Sequence, residues 1–226
     1  MDTSPQQPIE DQAKSSWFSL ISSPSEFFRT RRTRVPWVLP LIIVSVVTGI
    51  MAIAELPTLM HSAVFQQTLQ QASAKAPGAA ALVKSITEGG LVIAGFIGPW
   101  ISVLLGGLIL WVLTKLFGMN LSYRNTLGIL SNAHIIAALE AVVTGIVIVS
   151  TGTMTKGFLS LNMLVQASPT SHTGALLSAL SIFWLWMLYI TIAGVAEVTG
   201  SSKGKASGPV LIVTILGLIL IYLRVK

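Results

Sequence analysis

Two ionisable side chains stand where none is expected. Leu121 to Ser150 reads LSYRNTLGILSNAHIIAALEAVVTGIVIVS, apolar enough to be buried in lipid, yet it carries His134 and Glu140. A carboxylate near a bilayer centre costs about 2.5–3.5 kcal/mol on insertion scales, so it needs a partner or a task. On a helix the two lie about 120° apart round the axis and roughly 9 Å apart along it, too far to pair directly. Thr144 follows Glu140 at the i+4 position of the same face, and Asn132 is a further polar group in the run. Hydroxyls in other apolar runs could satisfy a neutral Glu140: Ser45 or Thr48, Ser102, Thr191 and Thr214. The chemistry open to such residues is an ionisable relay within the membrane, or a closed hydrogen bond that locks the bundle.

Enzyme chemistry has no carrier. There is no Walker loop, HExxH, GxSxG, pair of acids at catalytic spacing or cysteine. His61 is a lone histidine with no second ligand at metal spacing, and His172 sits among Ser and Thr. No catalytic, cofactor or metal site is expected.

The elements that must position these residues are membrane helices. Of 226 residues, 53% are apolar and 10% charged, against about 25% charged in soluble domains. The net charge of +6 does not point to nucleic acid, because most basic residues flank apolar runs as topology signals do. The fold class expected is all-α, a polytopic bundle of five transmembrane helices. Spans are expected at about 36–56, 91–116, 126–149, 174–198 and 209–223, forming a membrane domain over 36–223. Residues 1–16 are Pro, Gln and acid rich and read as a disordered cytoplasmic tail. Nothing in the first 35 residues has the pattern of a cleaved signal peptide.

Residues 17–35 read as an amphipathic basic segment beside the membrane. Its aromatic residues suit the headgroup region, and Arg29, Arg31, Arg32 and Arg34 suit anionic lipid or a docking partner. Between the first two spans, residues 57–90 suggest a surface helix, a break at Ala76-Pro77-Gly78, and a second short helix ending at Gly89-Gly90. FLSLNMLVQ, before the fourth span, is too short to cross and reads as interfacial or re-entrant. Residues 200–208 read as a flexible basic loop, which leaves a short fifth span.

Small residues recur every four positions in two spans: Ala94, Gly98, Ser102 and Gly106, and Ala133, Ala137, Ala141 and Gly145. Such ladders let backbones approach closely, so the second and third spans are expected to pack as a pair. With the N-terminus inside, Lys14, Arg29, Arg31, Arg32, Arg34, Lys115, Arg124, Lys203 and Lys205 fall inside. Lys75, Lys84, Lys156, Arg224 and Lys226 fall outside. That bias favours a cytoplasmic N-terminus and an outer C-terminus.

The order of features resembles the bacterial branch of the Yip1 family. SSPSEFFRTRRTRVPWVLPLIIVSVV is similar to that family's opening segment and proline-bearing first span. FGMNLSYRNTLGILSNAH is similar to its turn into the third span, and WLWMLYITIAGVAEVTGSSKGKASGPVLIVTILGLIL to its last two spans. The Asp-Leu-Tyr-Gly-Pro motif of eukaryotic members is absent, so no small-GTPase role follows. The resemblance implies a five-span protein of the bacterial inner membrane, N-in and C-out. It also implies a non-enzymatic scaffold or accessory subunit, its partners being anionic headgroups and a membrane protein or a second copy. The rival expectation is a small transporter or channel-like subunit using Glu140 and His134.

Overall fold

The computed structural model describes residues 17–154, 159–168 and 171–224; the expected N-terminal tail lies outside them. Ten helices are described. Two short ones, α1 (Phe18–Ser22) and α2 (Pro24–Arg29), precede α3 (Val38–His61) and α4 (Ala63–Lys75). They are followed by α5 (Ala79–Leu116), α6 (Tyr123–Thr151), α7 (Asn162–Val165), α8 (His172–Ala179), α9 (Ile182–Thr199) and α10 (Lys203–Arg224). Five of these, α3, α5, α6, α9 and α10, are long and apolar enough to cross a membrane. Their exposed faces carry rows of Ile, Leu and Val, such as Ile42, Ile50, Ile101 and Ile219, as a hydrocarbon solvent requires.

Several boundaries differ from the sequence reading. α5 runs unbroken through Gly89 and Gly90, which keep helical geometry. Glycine permits a break without imposing one. α10 starts at Lys203, so the expected flexible loop shrinks to a tight turn. Gly200 closes α9 in the left-handed region (φ 67°), the Ser201 N–H reaches the Ala196 carbonyl, and the Ser202 hydroxyl caps Lys205 N–H at 3.2 Å. The fifth span therefore has 22 residues, about 33 Å of helix, and needs no thinned bilayer.

The expected fourth span divides into α8 and α9. Ser181 caps α9 by accepting the Trp184 N–H at 3.0 Å. The FLSLNMLVQ stretch supplies the rest. The Leu161 N–H bonds the Leu180 carbonyl and the Ile182 N–H bonds the Leu159 carbonyl. The backbone at the break is thus paired through a short bridge between Ser160 and Ser181.

α3 packs against both α6 and α5. It runs parallel to α6, with a close register set by two glycines. A Cβ on Gly128 would fall 2.6 Å from Val35 Cβ, and one on Gly145 would stand 2.9 Å from Met51 Sδ and 3.0 Å from Glu55 Oε1. α3 meets α5 at Gly95, where a Cβ would lie 2.9 Å from Ala52 Cβ and 3.0 Å from Gly49 Cα. α5 touches α6 at Gly107, beneath Leu127.

Of the ladder expected to join the second and third spans, Ser102 alone reaches α6, through its contact with His134. Ala94 is exposed, and a Cβ on Gly98 or Gly106 would meet nothing within 4 Å. The physical reason is phase. Steps of four residues precess by about 40° on a helix of 3.6 residues per turn, so three steps swing by about 120°. The same drift takes the second ladder from Ala133, buried in the main core with Ile190, to Gly145, against α3.

Pro99, inside α5, leaves the Gly95 carbonyl open, and the Thr48 hydroxyl donates to it at 2.6 Å. Asn132 Nδ2 donates to the carbonyl of Pro36, just before α3, at 2.8 Å. α1 and α2 bury Leu20, Phe27 and Phe28 completely in the same cluster as Ile129 and Ile190. This segment is part of the bundle rather than a ribbon lying on lipid. A Cβ on Gly194 would meet Phe28 at 3.0 Å, so that glycine admits α2 against α9.

Candidate functional site

His134 opens on a cavity of about 270 Å³ between α5, α6, α9 and α10. Its Nδ1 lies 2.8 Å from the Leu130 carbonyl, which only accepts, so Nδ1 carries the proton. In the neutral ring Nε2 then accepts from the Ser102 hydroxyl at 3.2 Å. Thr191 and Thr214 line the same cavity, and Gly106 and Gly217 form part of its wall. Four polar side chains from four spans thus converge. The hydroxyls of Ser102, Thr191 and Thr214, which the sequence offered to Glu140, surround His134 instead.

Glu140 lies elsewhere. The α3–α6 register, Val35 against Gly128 and Met51 against Gly145, puts Glu140 level with Val46 and Val47, midway along the apolar run of α3. It is half-buried, and among the described residues it makes no hydrogen bond and no ion pair. Thr144 is half-buried and makes none either. Ser45 Oγ is buried without a partner, while Thr48 is committed to Gly95. Glu140 does not line the His134 cavity.

Asn132 is fully buried and works as a structural clamp, its Nδ2 shared between the carbonyls of Pro36 and Gly128. The arginines separate by role. Arg31 stacks 4.0 Å over the Phe27 ring and donates to the Phe27 carbonyl. Arg32 pairs with Glu197 at 3.3 Å and ties α2 to α9. Arg29 lines an open groove of about 830 Å³ with Lys203, Tyr189 and Trp186, and Arg34 is exposed. No group of three His, Asp or Glu that could hold a metal occurs among the described residues. His61 Nδ1 faces the Pro57 carbonyl at 2.7 Å, and His172 lies against the Tyr222 ring at 4.3 Å.

Asn125 escaped the sequence reading, and Thr48 was offered there to Glu140 rather than to Gly95. Asn125 accepts the Val35 N–H at 3.2 Å and donates to the Arg32 carbonyl at 3.3 Å, pinning the chain before α3. Thr48 repairs the Pro99 defect. A usable signal existed: Pro99 inside a span orphans the Gly95 carbonyl, which a polar residue on a neighbouring span can satisfy.

Fold and polar groups together define a five-span integral membrane protein whose N-terminal helices dock on its own bundle. The Yip1 domain family matches residues 18–224, and the chain belongs to that family. No curated protein and no solved structure matches it.

Proposed function

We propose that the chain is a non-enzymatic scaffold or accessory subunit of a larger assembly in the bacterial inner membrane, with its N-terminus in the cytoplasm. Glu140 carries the reading. A half-buried carboxyl at mid-membrane, with no bond among the described residues, is open to a donor from outside. A helix of another membrane protein, or of a second copy, supplies one. Docked α1 and α2 offer a rigid basic platform, with Arg29 and Arg34 turned to anionic headgroups. A relay through both Glu140 and His134 has less support, because only His134 opens on the cavity.

Co-purification in mild detergent tests the proposal. The native chain is expected to run with a partner or as a defined oligomer, and Glu140→Leu to release it as a folded monomer. A native chain that is already a lone monomer contradicts it.

A further inference from the structure

The cavity at His134 has the properties of a ligand site. Its lining contains no Asp, Glu, Lys or Arg among the described residues, so it offers nothing to a phosphate, a carboxylate or a cation. Most of the wall is apolar, with Leu110, Trp184 and Leu188 among the side chains. At 270 Å³ it holds about nine water-sized volumes. The mostly apolar wall gives a water cluster few partners, with four polar side chains around the whole volume. An amphiphile with a long apolar part fits better than water.

The hydrogen-bond inventory names its head. Ser102 directs its proton to His134 Nε2, and Thr191 directs its own to the Met187 carbonyl at 2.8 Å. Both oxygens keep acceptor capacity. Thr214 lines the cavity and makes no hydrogen bond among the described residues, so it brings one free donor. Such a set is completed by a group that both donates and accepts. A hydroxyl does this, whereas an ether or ketone uses the donor and leaves the acceptors idle. Gly106 on α5 and Gly217 on α10 would each project a Cβ into empty space, so the seam between them leaves room for an alkyl chain.

We propose that the cavity between α5, α6, α9 and α10 binds a neutral membrane amphiphile, one hydroxyl on an apolar body, with the hydroxyl held by Thr214, Thr191 and Ser102. The site stands independently of the accessory role. Photolabelling of the full chain in lipid nanodiscs with a diazirine derivative of 1-octanol tests it. Labels mapped by mass spectrometry are expected on α5 and α10 around Gly106 and Gly217 and to be competed away by unlabelled 1-octanol. Gly106→Leu fills the cavity and is expected to abolish this labelling. Gly98→Leu, on the same helix but outside the cavity, leaves it intact. Thr214→Val weakens binding about tenfold, the loss of one hydrogen bond, and Thr214→Ser restores it. Three outcomes overturn the proposal: labelling that octanol does not compete, labelling equal in Gly106→Leu and Gly98→Leu, or affinity unchanged in Thr214→Val.

Discussion

Replacing Thr48 by Val isolates one repair in the bundle. Valine keeps the branched shape and removes only the hydroxyl. In the native chain that hydroxyl lies 2.6 Å from the Gly95 carbonyl and 2.8 Å from the Val44 carbonyl. Val44 already receives the backbone N–H of Thr48 through the helix, but Gly95 cannot receive one from Pro99. The loss therefore falls on Gly95, whose carbonyl is left unpaired between α3 and α5. A buried polar group without a partner costs about 1–3 kcal/mol, and interhelical hydrogen bonds in membranes reach about 1.7 kcal/mol at most. We expect about 1.5 kcal/mol for Thr48→Val. Pro99→Ala returns the missing N–H to Gly95, so in that background Thr48→Val is expected to cost under about 0.5 kcal/mol. The difference is a coupling of about 1 kcal/mol between residues on separate helices. Unfolding in mixed detergent micelles, followed by the fluorescence of the six tryptophans, gives all four stabilities. Equal costs of Thr48→Val in the two backgrounds refute the repair.

Gly95 and Gly98 make a second contrast by the same assay. Gly95→Ala puts a Cβ 2.9 Å from Ala52 Cβ and 3.0 Å from the Thr48 carbonyl, and overpacking of this kind costs about 1–3 kcal/mol. Gly98→Ala meets open space and is expected to change stability by under about 0.5 kcal/mol. A phosphatase reporter fused after the C-terminus is expected to be active, because the basic residues cluster at the other terminus. Activity of a cytoplasm-dependent reporter at that position reverses the topology.

The architecture was legible because hydrocarbon permits few solutions. Five apolar runs had to be five helices, but the basic residues misplaced one boundary, since Lys203 and Lys205 lie inside α10 and not in a loop before it. The phase of the small-residue ladders was not legible in the same way. Ala94, Gly98, Ser102 and Gly106 form a regular pattern on paper, yet the contacts to α3 and α6 fall one residue on, at Gly95 and Gly107. A four-residue repeat does not say which of two adjacent stripes meets a neighbour. The polar set at His134 was hidden by distance along the chain. Ser102, His134, Thr191 and Thr214 sit on four spans, and only the packing of those spans makes them neighbours. Asn132 looked like a candidate for chemistry because it is polar in an apolar run. Its partner, the Pro36 carbonyl, is 96 residues away on the chain entering α3, and only the packing of α3 on α6 brings the two together.

The central claim is that Glu140 meets another protein inside the bilayer. A photoreactive benzoylphenylalanine at position 140, activated in intact membranes, tests it most directly, with position 109 as the lipid-facing reference (Ile109 is 43% exposed). A discrete protein adduct is expected from position 140, either with another membrane protein or at twice the chain's mass, and only lipid adducts from position 109. Lipid adducts alone from both positions contradict it.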